Sequence, residues 1–228
     1  MNYRLIGFLL LQLIFFQNFT THSQEKLDSV YGLNPILYNG QIYSYAIHPS
    51  VKGNQYLINK GFISGNLTIN KKTFSGLHLN YDIYNQEILL KFVLNHKTLI
   101  IKLCKEKITE FSLADKTFNL IKEPESNEKT IYQVFGEDKY KVLYHWEKEL
   151  HLSNISGRTS YVFTKPQKTM YLQFNNQKVR FKNNRHFLSR FNKSNKSEIK
   201  KYLKVNGLNI KRISDKDLIV LINFCNTL

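Results

Sequence analysis

The strongest constraint on the fold is an alternation of apolar and polar side chains that runs from Asn34 to Ile121. A period of two is typical of antiparallel strands with one buried face and one solvated face. In LHLNYDIYNQEILLKF, residues 77–92, the apolar residues hold odd positions up to Ile83 and even positions after Gln86. This change of phase predicts a hairpin whose loop is residues 83–86.

The hairpin places two acids opposite each other. Its register pairs apolar residues with one another: Leu77 with Phe92, Leu79 with Leu90, and Tyr81 with Ile88. The same register puts Asp82 opposite Glu87. These acids form either a carboxylate pair that acts on glycans, or a solvated hairpin end at which both acids point to water. The sequence favours the solvated end, because one pair without further ligands is weak evidence for a site.

A polar and acidic break, KEPESNEK at residues 122–129, predicts a boundary between a first β segment (24–122) and a second (130–182). In the second segment, YKVLYHWEKELHL alternates again. Its polar positions hold four candidate metal ligands or catalytic groups, His145, Glu147, Glu149 and His151. Residues four apart on a strand are about 13 Å apart, so only neighbours such as His145 and Glu147 could share an ion. A solvated strand face is the favoured interpretation, and no metal or cofactor is predicted.

From residue 183 the apolar spacing becomes helical, which predicts three helices in residues 183–228. Asn195 is expected to cap the second helix and Gly207 to end it, and Ser214 opens the third. The apolar faces of these helices are expected to pack on the second β segment. The fold class is therefore α+β: a mainly antiparallel β body, a sandwich or half-barrel in two segments, closed by three C-terminal helices.

Positive charge is concentrated in that C-terminal part. The chain carries a formal net charge of +16, of which residues 165–228 contribute +12. Lys196, Lys200 and Lys204 recur every four residues and so line one helix face. The predicted binding residues are Lys193, Lys196, Lys200, Lys201, Lys204, Lys211 and Arg212. They would suit an anionic lipid head group, lipopolysaccharide or an acidic glycan. The alternative is a solvated face that only keeps the protein soluble.

Residues 1–23 have the pattern of a secretory signal peptide: a basic start at Arg4, an apolar core from Leu5 to Phe16 and a small residue, Ser23, at the expected cut. This core is too short to span a membrane, and no later run is longer. We therefore expect export to the periplasm or the cell exterior. An oxidising compartment permits a bridge between Cys104 and Cys225, although two small buried thiols are the favoured interpretation.

Three stretches carry a resemblance to known proteins: a short signal ending in HSQ, the segment GNLTINKKTFSGLHLNYDIYNQEI, and a tail that begins MYLQFNNQKVRFKNNRHFLSRF and ends in IKKYLKVNGLNIKRISDKDLIVLINFCNTL. With these features the chain resembles a group of uncharacterised exported proteins of the Bacteroidota. The resemblance implies export and the two-part layout. It brings no established activity and no catalytic residues.

Three functions follow from these patterns. The favoured one is a non-enzymatic binding or scaffolding protein of the cell envelope, because no short catalytic motif is present. The first alternative is a glycan hydrolase that uses Asp82 and Glu87, or the histidine and glutamate set at 145–151. The second is a nucleic-acid-binding module, since basic and aromatic residues interleave in KTMYLQFNNQKVRFKNNRHFLSRF; export makes a nucleic-acid partner unlikely.

Overall fold

A computed structural model describes residues 34–44, 47–58, 61–124, 126–155, 158–175 and 177–228. The predicted signal segment, residues 1–23, lies outside these ranges. The strands are β1 (Gly40–Ile42), β2 (Ile63–Ile69), β3 (Lys72–Asp82), β4 (Glu87–Leu94), β5 (Lys97–Leu103), β6 (Ile108–Leu113), β7 (Lys116–Lys122), β8 (Lys129–Phe135), β9 (Tyr140–Glu147), β10 (Leu150–Ile155), β11 (Arg158–Phe163), β12 (Gln167–Phe174) and β13 (Gln177–Phe181). The helices are α1 (Asn184–Leu188), α2 (Lys193–Val205) and α3 (Asp215–Asn226).

Eleven of these strands form one open sheet in the order β1-β5-β4-β3-β2-β6-β7-β8-β9-β12-β13. Every neighbouring pair in it is antiparallel. β10 and β11 pair separately as a two-stranded ribbon. With three short helices near the C-terminus, this architecture confirms the α+β class and the antiparallel body.

The predicted hairpin is present as β3 and β4. Leu79 pairs with Leu90, Tyr81 with Ile88, and Asp82 with Glu87, as the alternation indicated. Residues 83–86 form the turn between the two strands. The phase change in the sequence therefore located a real reversal of the chain.

The polar break at residues 122–129 does not separate two sheets. β7 and β8 are antiparallel neighbours, and Lys122 pairs with Lys129 across the connection. The break is the loop of one more hairpin, and the sheet continues through it. The two β segments expected from the sequence are thus two parts of one sheet.

The sheet is strongly curved. The ring of Tyr81 on β3 lies 5.6 Å from that of Phe118 on β7, although β2 and β6 separate these strands. In a flat sheet the two strands would be about 14 Å apart. The side chain of Gln86, in the β3–β4 turn, donates a hydrogen bond of 2.8 Å to the carbonyl oxygen of Trp146 on β9. The curvature therefore brings distant strands together around the apolar face.

Two clusters of buried side chains fill that face. The first gathers residues of β2 to β8, with Phe111 and Phe118 stacked 4.7 Å apart. The second combines β8, β9, β12 and β13 with the three helices. Trp146 packs against both clusters. Burial of apolar area in these clusters provides the main stabilisation of the fold.

The ends of α2 and α3 agree with the prediction from the sequence, with one correction. Asn192, not Asn195, caps α2: its side-chain oxygen accepts a 2.8 Å hydrogen bond from the Asn195 backbone N–H. A side-chain cap satisfies an N–H group that has no partner inside the helix, and Asn192 lies where the backbone is still extended. Ser214 caps α3 as predicted, and Gly207 follows the end of α2 with a left-handed φ of 60°.

Helix α3 is held on the sheet at both ends. Near its N-terminus, Asp215 pairs with Lys116 of β7 at 2.5 Å and accepts a hydrogen bond from Gln133 at 3.0 Å. Near its C-terminus, the Asn226 side chain accepts from the Tyr140 N–H at 2.7 Å and donates to the Tyr140 carbonyl at 3.1 Å. These contacts set the orientation of the basic helical segment relative to the sheet.

Candidate functional site

The seven cationic residues predicted from the sequence are all exposed, and none makes an ion pair with another described residue. We call this set the basic surface: Lys193, Lys196, Lys200, Lys201, Lys204, Lys211 and Arg212. Five of them lie on α2 and two on the turn that leads to α3. The structure thus places all seven in one helical segment and leaves their charge open to solvent.

The apolar side of α2 explains why its lysines face outward. Ile199 is 0% exposed and Leu203 is 4% exposed, so this side is fixed against the second cluster. At about 100° per residue, the five lysines of α2 fall within a sector of about 140° that excludes both of these residues. Burial of one side therefore gathers the positive charge on the other.

The turn after α2 is also ordered. Ile210 and Ile213 are buried, at 0% and 7% exposure, on either side of Lys211 and Arg212. The side chain of Asn209 accepts a hydrogen bond from the Lys211 N–H at 3.0 Å, and its carbonyl oxygen accepts one from the Arg212 N–H at 2.9 Å. These two cations are consequently presented from a fixed backbone.

Several lysines elsewhere in the chain have acidic partners. Besides the Lys116–Asp215 pair, Lys178 pairs with Glu123, and Lys102 lies 3.9 Å from Glu87. The difference matters because a paired lysine has its charge compensated within the fold. The basic surface differs from these lysines in that its charge remains available to a partner.

Asp82 is 0% exposed, so the prediction that both hairpin acids point to water is wrong for this residue. One carboxylate oxygen accepts from the backbone N–H groups of Tyr84 at 3.0 Å and Asn85 at 2.8 Å. The other accepts from the hydroxyl of Tyr43 at 2.5 Å and the side-chain amide of Asn85 at 2.8 Å. Asp82 therefore closes the β3–β4 turn and ties it to the segment before β2.

Burial also shifts the pKa values of two groups near Asp82, Tyr43 and Lys148. Burial, followed by the hydrogen bond to Asp82, raises the pKa of Tyr43 well above its ordinary value. Burial lowers the pKa of Lys148, whose ammonium donates to the carbonyl oxygens of Asn54 at 2.7 Å and Tyr56 at 2.6 Å. These contacts join the chain before β2 to the end of β9. The arrangement is a partly buried structural network centred on Asp82, which already accepts four hydrogen bonds.

Glu87 differs from its partner in the hairpin. Its side chain is 21% exposed and lies 3.9 Å from the ammonium of Lys102. Burial raises the pKa of Glu87, against the opposing effects of Lys105 and Lys102. A raised pKa is a property of general acids, but the second carboxylate of the pair is inaccessible to solvent. The geometry therefore favours a structural role for both acids.

The histidine and glutamate set at 145–151 does not lie on one strand: His145 and Glu147 are on β9, Glu149 is in the connection after it, and His151 is on β10. β9 ends at Glu147 and β10 begins at Leu150, so Glu149 and His151 do not share a strand face with His145. His145 and Glu147 do meet, with Nε2 and Oε1 3.4 Å apart. The Nδ1 atom of His145 lies 3.0 Å from the Ile131 carbonyl oxygen, which can only accept, so Nδ1 carries a proton. Among the described residues, no three His, Cys, Asp or Glu side chains are placed to hold a metal ion.

A polar cluster that the sequence did not reveal lies on the face opposite the helices. Glu123, which belongs to the polar and acidic break predicted at residues 122–129, accepts hydrogen bonds from Lys178 on β13 and from the Tyr132 hydroxyl, the latter at 2.8 Å. The Lys178 ammonium also lies over the rings of Tyr132 and Tyr171, 4.4 and 5.1 Å from their centroids. Burial acts to raise the pKa of Glu123, but the bonds from Lys178 and Tyr132 outweigh it and hold the pKa below its ordinary value. The cluster is internally compensated.

The disulfide that the sequence permits is not formed, since Cys104 and Cys225 are both free thiols. Cys104 is exposed just after β5, beside the first cluster, whereas Cys225 is buried on α3 in the second cluster. Burial raises the pKa of Cys225 to about 12. The expectation of two buried thiols is therefore correct for Cys225 and wrong for Cys104.

The fold and the basic surface together define an α+β protein in which a curved antiparallel sheet carries a small, cationic helical segment. No protein family, curated protein or solved structure was found that matches this chain. The resemblance to exported Bacteroidota proteins thus stays a prediction. In the part of the chain that the structure describes, no helix has the length and apolar character needed to cross a membrane.

Proposed function

We propose that this chain is an exported, non-enzymatic cell-envelope protein that binds an anionic envelope component through the basic surface. The observation that carries the proposal is the group of five exposed lysines on one side of α2, none of which is paired within the described residues. Lysines at this density attract anionic groups over a distance set by the ionic strength, about 10 Å at 0.1 M salt. The partner is a lipid head group, lipopolysaccharide or an acidic glycan.

The export part of the proposal rests on the sequence of residues 1–23. We expect the mature chain recovered from a bacterial host to begin after Ser23 and to fractionate with the envelope. N-terminal sequencing of that material checks the cut. A chain that keeps Met1 and stays in the cytoplasm contradicts export without bearing on the binding surface.

The binding test compares two variants of equal charge. The first changes Lys196, Lys200 and Lys204 to Gln. The control changes three exposed lysines of the β region, Lys97, Lys107 and Lys165, to Gln. Each lysine near an anionic surface contributes about 1 kcal/mol, so the first variant should bind on the order of 100-fold more weakly at low salt.

The probes are immobilised heparin, purified lipopolysaccharide and vesicles of phosphatidylcholine with phosphatidylglycerol, each at low and high salt. Wild-type binding should fall as salt rises, and the control variant should keep most of it. An equal loss of binding in the two variants would mean that binding depends only on the net charge of the protein. If the wild-type chain binds none of the probes, the lysines serve only to keep the protein soluble.

A further inference from the structure

The outer side of the helical segment is not uniformly polar. The rings of Tyr202 on α2 and Phe224 on α3 stack with centroids 4.4 Å apart and an interplanar angle of 16°. Both side chains are only partly buried, so their outer edges reach the surface. This stacked pair is the point at which the outward sides of the two helices join.

Further apolar side chains extend this contact in both directions. Val220 lies four residues before Phe224, which puts it close to the same side of α3, and it is 49% exposed. Val205 on α2 is 76% exposed and follows Lys201 by four residues. We call this set the apolar strip: Val205, Tyr202, Phe224 and Val220.

Only part of the apolar strip lies away from the core faces of its helices. The buried side chains of α3 are Leu218, Leu221, Ile222 and Cys225, all 0% exposed. At about 100° per residue, Val220 and Phe224 lie outside the sector that these four residues occupy. Tyr202 and Phe224 also pack against the second cluster, so the apolar area that remains in contact with solvent is mainly that of Val205 and Val220.

Charge surrounds the strip. On α2, Lys201 and Val205 are separated by about 40° around the helix axis. The other lysines of the helix lie on the Lys201 side of Val205. Lys216 lies beside Val220 on α3 and is exposed. Residues 183–228 contain ten Lys and Arg against three acids, Glu198, Asp215 and Asp217. Asp215 is paired with Lys116, whereas Glu198 and Asp217 are exposed, and the segment keeps a net charge of +7.

We propose that the basic surface and the apolar strip together dock the helical segment on the surface of an anionic lipid bilayer. The lysines would meet head-group phosphates while Val205, Val220 and the Tyr202–Phe224 pair enter the boundary between head groups and acyl chains. This inference rests on the proposed function and names its partner. Charge complementarity alone would suit any polyanion, but a soluble glycan has no apolar phase to receive the strip.

The two contributions respond differently to salt and to substitution. Attraction between lysines and phosphates is screened by salt, whereas removal of apolar area from water is not weakened by it. A bilayer-bound chain should therefore keep a fraction of its affinity at high salt. A chain that binds only through charge should lose nearly all of it.

The test is flotation of the full chain with phosphatidylcholine–phosphatidylglycerol vesicles, beside binding to immobilised heparin. In the test variant, Val205 and Val220 become Ser. In the control variant, Val93 and Leu152 become Ser; both are exposed in the β region, at 67% and 59%. We expect the test variant to lose roughly tenfold in vesicle affinity, chiefly the salt-resistant part, with heparin binding unchanged.

The outcomes separate the two proposals. If the test variant floats like the wild-type chain while the lysine variant does not, the bilayer inference is overturned and charge-based binding stands. Lysine-dependent binding to heparin with no vesicle binding has the same meaning. If the lysine variant matches the wild-type chain with every probe, the proposed function fails and the inference fails with it. Thermal unfolding by circular dichroism shows whether each variant is folded.

Discussion

At the scale of single residues, the most consequential side chain is Asp82. A carboxylate taken fully out of water is costly unless its oxygens accept hydrogen bonds, and Asp82 accepts four. It holds the β3–β4 turn closed and anchors Tyr43. Because water cannot replace Asp82 as the acceptor for these donors, the local fold depends on this side chain.

We expect Asp82→Asn to destabilise the protein by about 2 to 4 kcal/mol, because Asn replaces one acceptor oxygen with an NH2 donor, and the donors that faced this oxygen then lose their partner. Urea unfolding followed by circular dichroism measures the change. The exposed aspartate of another turn, Asp138→Asn, is the control and should be nearly neutral. A similar effect of both substitutions would show that Asp82 is not the structural centre of its turn.

Glu87 should respond in the opposite way. Its pKa is raised in the folded state, mainly by burial, so its contribution to stability is full below the unfolded pKa and falls as pH rises through the folded pKa. We therefore expect Glu87→Gln to be as stable as the wild-type chain or more stable at pH 7. The difference should close on acidification to roughly pH 4.

Unfolding by urea at several pH values checks this expectation for Glu87. A variant that is less stable at pH 7, with a gap that shrinks toward acid, would mean that the folded state favours the ionised carboxylate. That result would mean that the attraction of the Glu87 carboxylate to Lys102 and Lys105 outweighs the cost of burying it.

At the scale of elements, the position of α3 depends on Asp215. Burial acts to raise the pKa of Asp215, but hydrogen bonds from Lys116 and Gln133 outweigh it and hold the pKa below its ordinary value. A lowered pKa contributes stability that is present above the unfolded pKa and is lost as pH falls through the folded pKa. The contacts of Asp215 that hold α3 on β7 and β8 should therefore weaken in acid.

We expect Asp215→Asn to cost about 1 to 2 kcal/mol at pH 7 and progressively less below roughly pH 4. The matched control is Asp115→Asn, because Asp115 also lies near the Lys116 ammonium, at 3.9 Å, but is 82% exposed. Urea unfolding at neutral and acidic pH gives both values. A loss for Asp215→Asn that is independent of pH would argue that the pair with Lys116 is not its cause.

At the scale of the whole molecule, the two buried clusters meet at Trp146, which is the single tryptophan of the chain. Its indole N–H donates to the Gln133 side chain at 2.8 Å, between the clusters. One sheet also runs through both clusters without interruption. We therefore expect the described parts to unfold together.

Tryptophan fluorescence and far-ultraviolet circular dichroism should consequently give the same midpoint and slope in urea. Fluorescence reports the junction of the clusters, and dichroism reports the sheet and helices as a whole. Two separated transitions would show that the helical segment and the first cluster unfold independently. Removal of residues 183–228 should expose the second cluster and produce a chain that binds hydrophobic dyes.

Sequence alone was sufficient for features that depend on neighbours along the chain. Alternation of side chains located the β3–β4 turn and its register, because a one-residue slip would exchange the two faces of a strand. Helical spacing identified the three helices and the outward lysines of α2. It also found the cap at Ser214, whose partner is only three residues away.

Only the tertiary structure decided contacts between distant parts of the chain. The burial of Asp82 depends on Tyr43, which is 39 residues away, and the pairing of Glu123 depends on Lys178, which is 55 residues away. The curvature of the sheet and the joining of Tyr202 to Phe224 are of the same kind. Periodicity reports which face a side chain takes but not what lies opposite that face, and that information arises when the sheet curves and the helices pack on it.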